Sequence, residues 1–202
     1  MAFRIFIVVL LLANILFLYQ VVQLNRAHAA LYNVPEGYSI GPANADVSLV
    51  EFLDYSCPHC RAIDPVIREA IQRDGKTRYI PRPVPTQIPG SVKYARAVYA
   101  AGQQGKFIEM HIALMENFRA MDEENLAEMA VDLGMDKEKF LTDMTPEKAD
   151  EYLKKNSWLL ANFYTPSMPH FIINGRIAFS PEKKAPGVDD FLSIFREARA
   201  AQ

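Results

Sequence analysis

Cysteine is scarce in this chain: two occur in 202 residues, far too few for a small disulfide-stapled scaffold. Basic runs are missing too, and nucleic-acid binding rests on neutralising phosphates. The first thirty residues contain no acid and only Arg4 and Arg26. Taking those two from the 22 Lys and Arg leaves 20 against 24 Asp and Glu, so the remainder carries −4. A mildly acidic domain of that kind is a poor nucleic-acid partner. Internal repeats and low-complexity tracts are absent. What is present is a folding composition, 50% hydrophobic, 23% charged and 11% aromatic. It excludes a disordered tail, a collagen-like fibre and a polytopic membrane protein, and the length gives room for one sizeable domain or two small ones.

The long hydrophobic run comes first. Ile5 to Val22 is eighteen positions without a charge, with only Asn14 and Gln20 polar. As a helix it would be about 27 Å long, close to the hydrocarbon thickness of a bilayer. A core helix of a water-soluble domain would carry a polar stripe, and this run has none. Two readings stay open. Ala27-His28-Ala29 has the small-x-small form of a signal-peptidase site. The run is longer than a usual signal-peptide core, however, and Arg26 crowds the cut, which favours an uncleaved anchor. Both place the rest of the chain outside the cytosol. Residues 1–30 are therefore expected to be a transmembrane anchor or signal peptide, and turn-rich residues 31–46 a linker or lead-in segment.

Residues 47–202 read as one α/β domain. Val47–Leu53 is a short apolar run suited to a buried strand. Cys57–Arg73 reads as a helix kinked at Pro65, with Ile63, Val66, Ile67, Ala70 and Ile71 inward and Arg61, Asp64, Arg68 and Arg73 outward. Lys76–Ile80 is a second strand candidate, followed by Pro81, Pro83, Pro85 and Pro89, which exclude helix or central strand. Five helical stretches follow from Ser91 to about Leu160, Phe107–Phe118 among them, so a helical insertion is expected over about 90–162. After Thr165-Pro166-Ser167-Met168-Pro169, two apolar runs flank Asn174-Gly175, the strongest hairpin signal in the chain. Val188–Ala200 closes as an amphipathic helix. Trp158 and the Phe and Tyr residues are expected in the core, and His111 and His170 read as packing or surface histidines.

Cys57-Pro58-His59-Cys60 falls where the first strand hands over to the first helix of the domain. At a helix N-terminus, unpaired N–H groups and the helix dipole favour a thiolate at Cys57, the species that exchanges with disulfides. Pro58 suits the first helical position because it needs no N–H partner. His59 can add positive charge beside the thiolate. Cys60, one turn on, can reach Cys57 and resolve a mixed disulfide. A structural zinc site would need two more soft ligands and no third cysteine exists, although Cys57, Cys60 and His59, His111 or His170 could be imagined around zinc or Cu(I). A purely structural disulfide would constrain almost no chain entropy over so short a loop. Redox use is favoured.

These residues resemble a known family. Val50–Cys60, with its Pro-His dipeptide, is similar to the active-site strand and turn of the bacterial DsbA-type thiol–disulfide oxidoreductases. Gly41-Pro42-Ala43-Asn44-Ala45 resembles the family's lead-in, Gln104–Phe107 with His111 and Leu114-Met115 its helical insertion, and Met168-Pro169 with Phe171–Gly175 its cis-proline loop and hairpin. The likeness covers about residues 38–200. It implies a thioredoxin-like fold with an inserted all-helical subdomain. It also implies that Cys57 is the nucleophile, Cys60 the buried resolving thiol, and Glu51 a buried acid assisting proton transfer. The alternative for Glu51 is an ordinary edge-of-strand glutamate. Met168 and Pro169 would form the substrate-binding loop, with Pro166-Ser167-Met168-Pro169 departing from the sequences common in relatives.

The expected activity is thus an extracytoplasmic thiol–disulfide oxidoreductase, acting as an oxidant. It would need no metal and no cofactor beyond the cysteine pair. Its expected substrates are unfolded or cysteine-containing extracytoplasmic proteins, with a membrane redox partner recycling the pair. About sixteen residues between the apolar run and the first strand leave too little room for a dimerisation domain, so the soluble part is expected to be monomeric. The rivals are a thiol reductase or isomerase partner and a Cu(I)- or zinc-handling protein of the same fold. The periplasm, with a tether to the inner membrane through residues 5–22, is the expected location.

Overall fold

Val47–Leu53 (β1) is the strand around which the other elements are arranged, and all but one of its residues are buried. The computed structural model describes residues 2–117, 119–163, 167–181 and 185–201. Phe118, Thr165 and Pro166, which the sequence reading invoked, lie outside the described residues. After helix α1 (Ala2–Leu31), the chain runs β1, α2 (Pro58–Asp74), β2 (Thr77–Pro83), then α3 (Ser91–Gly102), α4 (Phe107–Glu116), α5 (Glu123–Asp132), α6 (Lys137–Asp143) and α7 (Pro146–Ala161). It closes with β3 (His170–Ile173), β4 (Ile177–Phe179) and α8 (Val188–Ala200). The sheet order is β2-β1-β3-β4, with β1 parallel to β2 and antiparallel to β3.

The pleat sorts residues onto two faces. Leu49, Tyr79, Phe171 and Ile173 pack with Ile63, Ile67 and Ala70 of α2 and Phe191 and Phe195 of α8. Val50, Phe52, Ile80 and Ile172 pack on the other face with Leu159 of α7 and with Ala27 and Leu31 of α1. The helical block α3–α7 packs around Phe107, Leu114, Leu126 and Phe140, in a cluster that also takes in Leu53, Tyr55, Cys57 and Cys60. This is the α/β arrangement with an all-helical insertion that the resemblance implied.

Several local expectations need revision. β2 does not stop at Ile80 but continues through Pro81 to Pro83. It is the edge strand, paired only with β1 apart from a bridge to Ile40, so two missing N–H groups are tolerated. Arg61 and Asp64, assigned to the solvent face of α2, are buried. Trp158, assigned to the core, is 39% exposed. At the hairpin, Asn174 and Gly175 both take positive φ, and Arg176 N–H closes the turn on Ile173 O at 3.0 Å.

The apolar run lies in α1, where an eighteen-residue window reaches a mean hydropathy of 2.7 and the Arg4–Leu31 stretch is long and apolar enough to cross a membrane. Its last turns belong to the domain. Ala27 and Leu31 are buried against the sheet, His28 meets Phe163 edge-on at 5.1 Å, and a Cβ at Gly175 would come within 3.0 Å of His28 Nδ1. Arg82 of β2, 1% exposed, donates through Nη2 to the carbonyls of Ala30 at 2.6 Å and Leu31 at 2.7 Å. The same nitrogen reaches Asn33 O at 3.3 Å, and Nη1 reaches Asn156 Oδ1 at 3.1 Å. Those backbone carbonyls are the acceptors a helix leaves unpaired at its C-terminus.

Candidate active site

The turn between β1 and α2 is pinned before the helix begins. Cys57 N–H donates to Asp54 O at 3.0 Å. The Asp54 carboxylate accepts from Ser56 N–H at 2.8 Å, from Ser91 Oγ at 2.8 Å and from the Thr86 hydroxyl, tying the turn to the start of α3. Cys57 is the N-cap of α2 in extended geometry, and Pro58 follows in the first turn. Cys57 is 7% exposed and Cys60 is fully buried, with both thiols free, while Pro58 and His59 are exposed. Opposite them, Cys57 Sγ lies 4.0 Å from the Met168 carbonyl, and the Met168-Pro169 peptide is cis. Cys57 and Met168 are thus brought together, with Pro58, His59 and Cys60 beside Cys57 on α2 and Pro169 beside Met168.

The two thiols are driven apart in acidity. A hydrogen bond from the Cys60 thiol is the largest influence on Cys57. Burial opposes it, the N–H groups of Cys60 and His59 reinforce it, and the His59 charge adds least; together they bring the Cys57 pKa down to about 6. The same hydrogen bond pushes Cys60 far above an ordinary thiol, helped by burial and by nearby Glu51. From sequence alone the helix end and His59 carry the main role. The neighbouring thiol outranks both, because His59 is exposed and its charge is screened by water.

Glu51 is fully buried on β1, flanked by Pro81 of β2 and Phe171 of β3. The edge-of-strand alternative therefore fails, since β1 is a central strand. The Tyr79 hydroxyl donates to Glu51 Oε2, and Oε1 has no partner among the described residues. Burial raises its pKa well above the usual carboxylate value.

A buried polar group beside it was missed. His111 of α4 is held between the Tyr55 hydroxyl and Asp64 Oδ1, at 3.1 Å each. Burial works against the Asp64 carboxylate, but His111 and Arg68 outweigh it and hold its pKa below the usual range. The available signal was spacing: Asp64 is four residues after Cys60 and so shares its inward face of α2. Among the described residues no three His, Cys, Asp or Glu side chains gather as a metal-binding set. His111 is engaged as above, and His170 lies beside Phe52 on the opposite face of the sheet with Nδ1 2.8 Å from Ser180 Oγ.

A four-stranded mixed sheet, a helical insertion and a cysteine pair at a helix N-terminus facing a cis-proline define a class of redox-competent α/β protein. Residues 33–191 match the thioredoxin family, and the chain belongs to it. Its resemblance to the DsbA-type members holds in sequence. A thiol:disulfide interchange protein DsbA from Bordetella parapertussis is 24% identical over 140 residues, 67% of this chain and 66% of that protein. Among solved structures, a thioredoxin-like oxidoreductase from Silicibacter pomeroyi superposes with a TM-score of 0.74 at 28% identity, covering 85% of this chain and 97% of that one. The Na(+)/H(+) antiporter NhaA 3 of Salinispora tropica is also similar, 28% identical over 161 residues, which is 79% of this chain. The chain spans a quarter of that antiporter's length.

Proposed function

We propose that this protein is a membrane-tethered thiol–disulfide oxidoreductase that works as an oxidant outside the cytosol. The observation that carries the reading is the division of the pair, Cys57 with its pKa lowered to about 6 and Cys60 buried with its pKa raised. In the oxidised form, a substrate thiolate attacks Cys57 Sγ, a mixed disulfide forms, and the Cys57–Cys60 bond breaks. Cys60 leaves as a thiolate and takes up a proton, for which Glu51, kept protonated by burial, is the candidate source. A second substrate thiolate then attacks the substrate sulfur of the mixed disulfide and expels Cys57 as a stable thiolate. The substrate loses two electrons and becomes a disulfide, and the pair gains them.

Stabilising the Cys57 thiolate stabilises the reduced state and makes the disulfide the more oxidising partner. A value of about 6 lies between the lowest nucleophile pKa values, about 3.5, and that of thioredoxin, about 7. An intermediate potential follows. Exposed Ile88 and Pro89 border the cysteine turn beside Pro58, a surface suited to unfolded chains. The apolar α1 favours a tether in the inner membrane over a cleaved signal, because Ala27 is packed into the domain and cutting near Ala29 would remove it together with the helix that leads into Leu31. Substrates would be cysteine-containing extracytoplasmic proteins, and a membrane partner would reoxidise the pair. Equilibrating the protein with glutathione tests the direction. A potential between about −120 and −230 mV supports the oxidant, and one near about −270 mV a reductase.

A further inference from the structure

We propose that the C-terminal end of α7 docks on the bilayer surface and contacts anionic phospholipid. The proposal rests on the reading of α1 as a membrane anchor. Phe17, Gln20, Val21 and Leu24 of α1 fall at i, i+3, i+4 and i+7, so they form one stripe of that helix. That stripe does not close against protein. It lines an open groove of about 480 Å³ whose other wall is Ala161 and Asn162, at the end of α7. The end of α7 therefore stands beside the last two turns of the apolar run, not above them. If Ile5–Val22 fills the hydrocarbon, about 27 Å for eighteen residues, then Ala161 and Asn162, level with Phe17 to Leu24, lie at the boundary between hydrocarbon and lipid esters.

The packing fixes this height. The Arg82 guanidinium holds the carbonyls of Ala30, Leu31 and Asn33 and also Asn156 of α7, so one side chain ties the exit of α1 to α7. The chemistry of the α7 face agrees with its position. Trp158, Ala161 and Asn162 are spaced i, i+3 and i+4 and share a face, with the Asn162 amide donating to Trp158 O at 2.7 Å. One turn further from the anchor stand Lys154 and Lys155, both exposed. Arg26 is exposed on α1 just past the apolar run. An exposed tryptophan on the same face as the groove residues Ala161 and Asn162, with lysines one turn further along α7, is the pattern of an interfacial anchor. The basic groups select a negatively charged headgroup.

Trp158 is the only tryptophan, so intrinsic fluorescence of the full chain reports this site directly. The protein would be reconstituted in phosphatidylcholine vesicles with and without phosphatidylglycerol. Doxyl labels would be placed either high on the acyl chain or near its end. Trp158 should be quenched by the high label at least about twofold more than by the deep one, and acrylamide should quench it weakly. Replacing both lysines, Lys154→Glu with Lys155→Glu, should reduce the quenching in phosphatidylglycerol vesicles; unchanged quenching would overturn the assignment to anionic lipid. A Leu11→Trp variant in a Trp158→Phe background separates the two readings. If that tryptophan responds to the deep label while Trp158 responds only to acrylamide, the anchor stands and the docking proposal falls. If neither tryptophan responds to lipid labels, the anchor reading itself falls.

Discussion

Glu51 and Arg82 are buried on opposite faces of the sheet, and the fold handles the two groups differently. On the face covered by α2 and α8, Glu51 has no cation beside it among the described residues, and burial makes it retain its proton. On the face covered by α1 and α7, Arg82 has no carboxylate partner among the described residues. A guanidinium does not give up its proton in a protein. Its charge is met instead by main-chain carbonyls at the C-terminus of α1, where the helix dipole is negative. An acid can be buried by neutralising it, whereas an arginine has to be answered by dipoles. The first solution leaves a protonated carboxyl near Cys60. The second fixes the C-terminus of α1 to the domain.

The largest expected effect comes from breaking the second solution. Arg82→Leu should leave four acceptors without their donor and destabilise the full chain by at least about 3 kcal/mol. Thermal unfolding in detergent, with limited proteolysis between residues 26 and 34 as a local probe, measures it; an unchanged melt and unchanged cleavage would show that the cap is dispensable.

Glu51→Gln tests the first solution through pH. The folded-state pKa of Glu51 is raised, so its contribution is intact below the unfolded carboxyl value, about 4.3, and is lost as pH rises above it. The unfolded chain releases the proton there while the folded chain keeps it. For the oxidised protein, the variant should therefore gain on the wild type as pH rises above the unfolded carboxyl value, by up to about 1.4 kcal/mol per pH unit. Parallel pH profiles from denaturant unfolding would mean Glu51 is ionised in the fold.

Smaller effects rank the influences on Cys57. Cys60→Ala removes the hydrogen bond with the largest influence and should raise the Cys57 pKa clearly. His59→Ser should raise it by only a fraction of a unit. Alkylation rate against pH compares them, and a larger effect from His59→Ser would reverse the order.

Much of this was legible in the sequence, and what was not has a common cause. The strand-to-helix position of Cys57 and Cys60, the apolar face of α2 and the Asn174-Gly175 turn are local patterns, so the chain order displays them. Arg61, Asp64 and Arg82 were not legible because patterning assigns charged residues to water, and their partners arrive from Asn117, His111 and the end of α1. Those contacts join residues 47 to 56 positions apart, and no local period records them. Prolines ended β2 too early in the sequence reading because edge position is a tertiary property. Residue type assigns Trp158 to the core, though it is exposed on α7.

The central claim, that the cysteine face divides two neighbouring thiols into a ready nucleophile and a protected partner, is tested most directly by following thiolate absorbance of the reduced full-length protein against pH. One thiolate should appear with a midpoint near pH 6, disappearing in Cys57→Ser, and the second should stay protonated past pH 9. Two thiols rising together near the ordinary value of about 8.5 would contradict it.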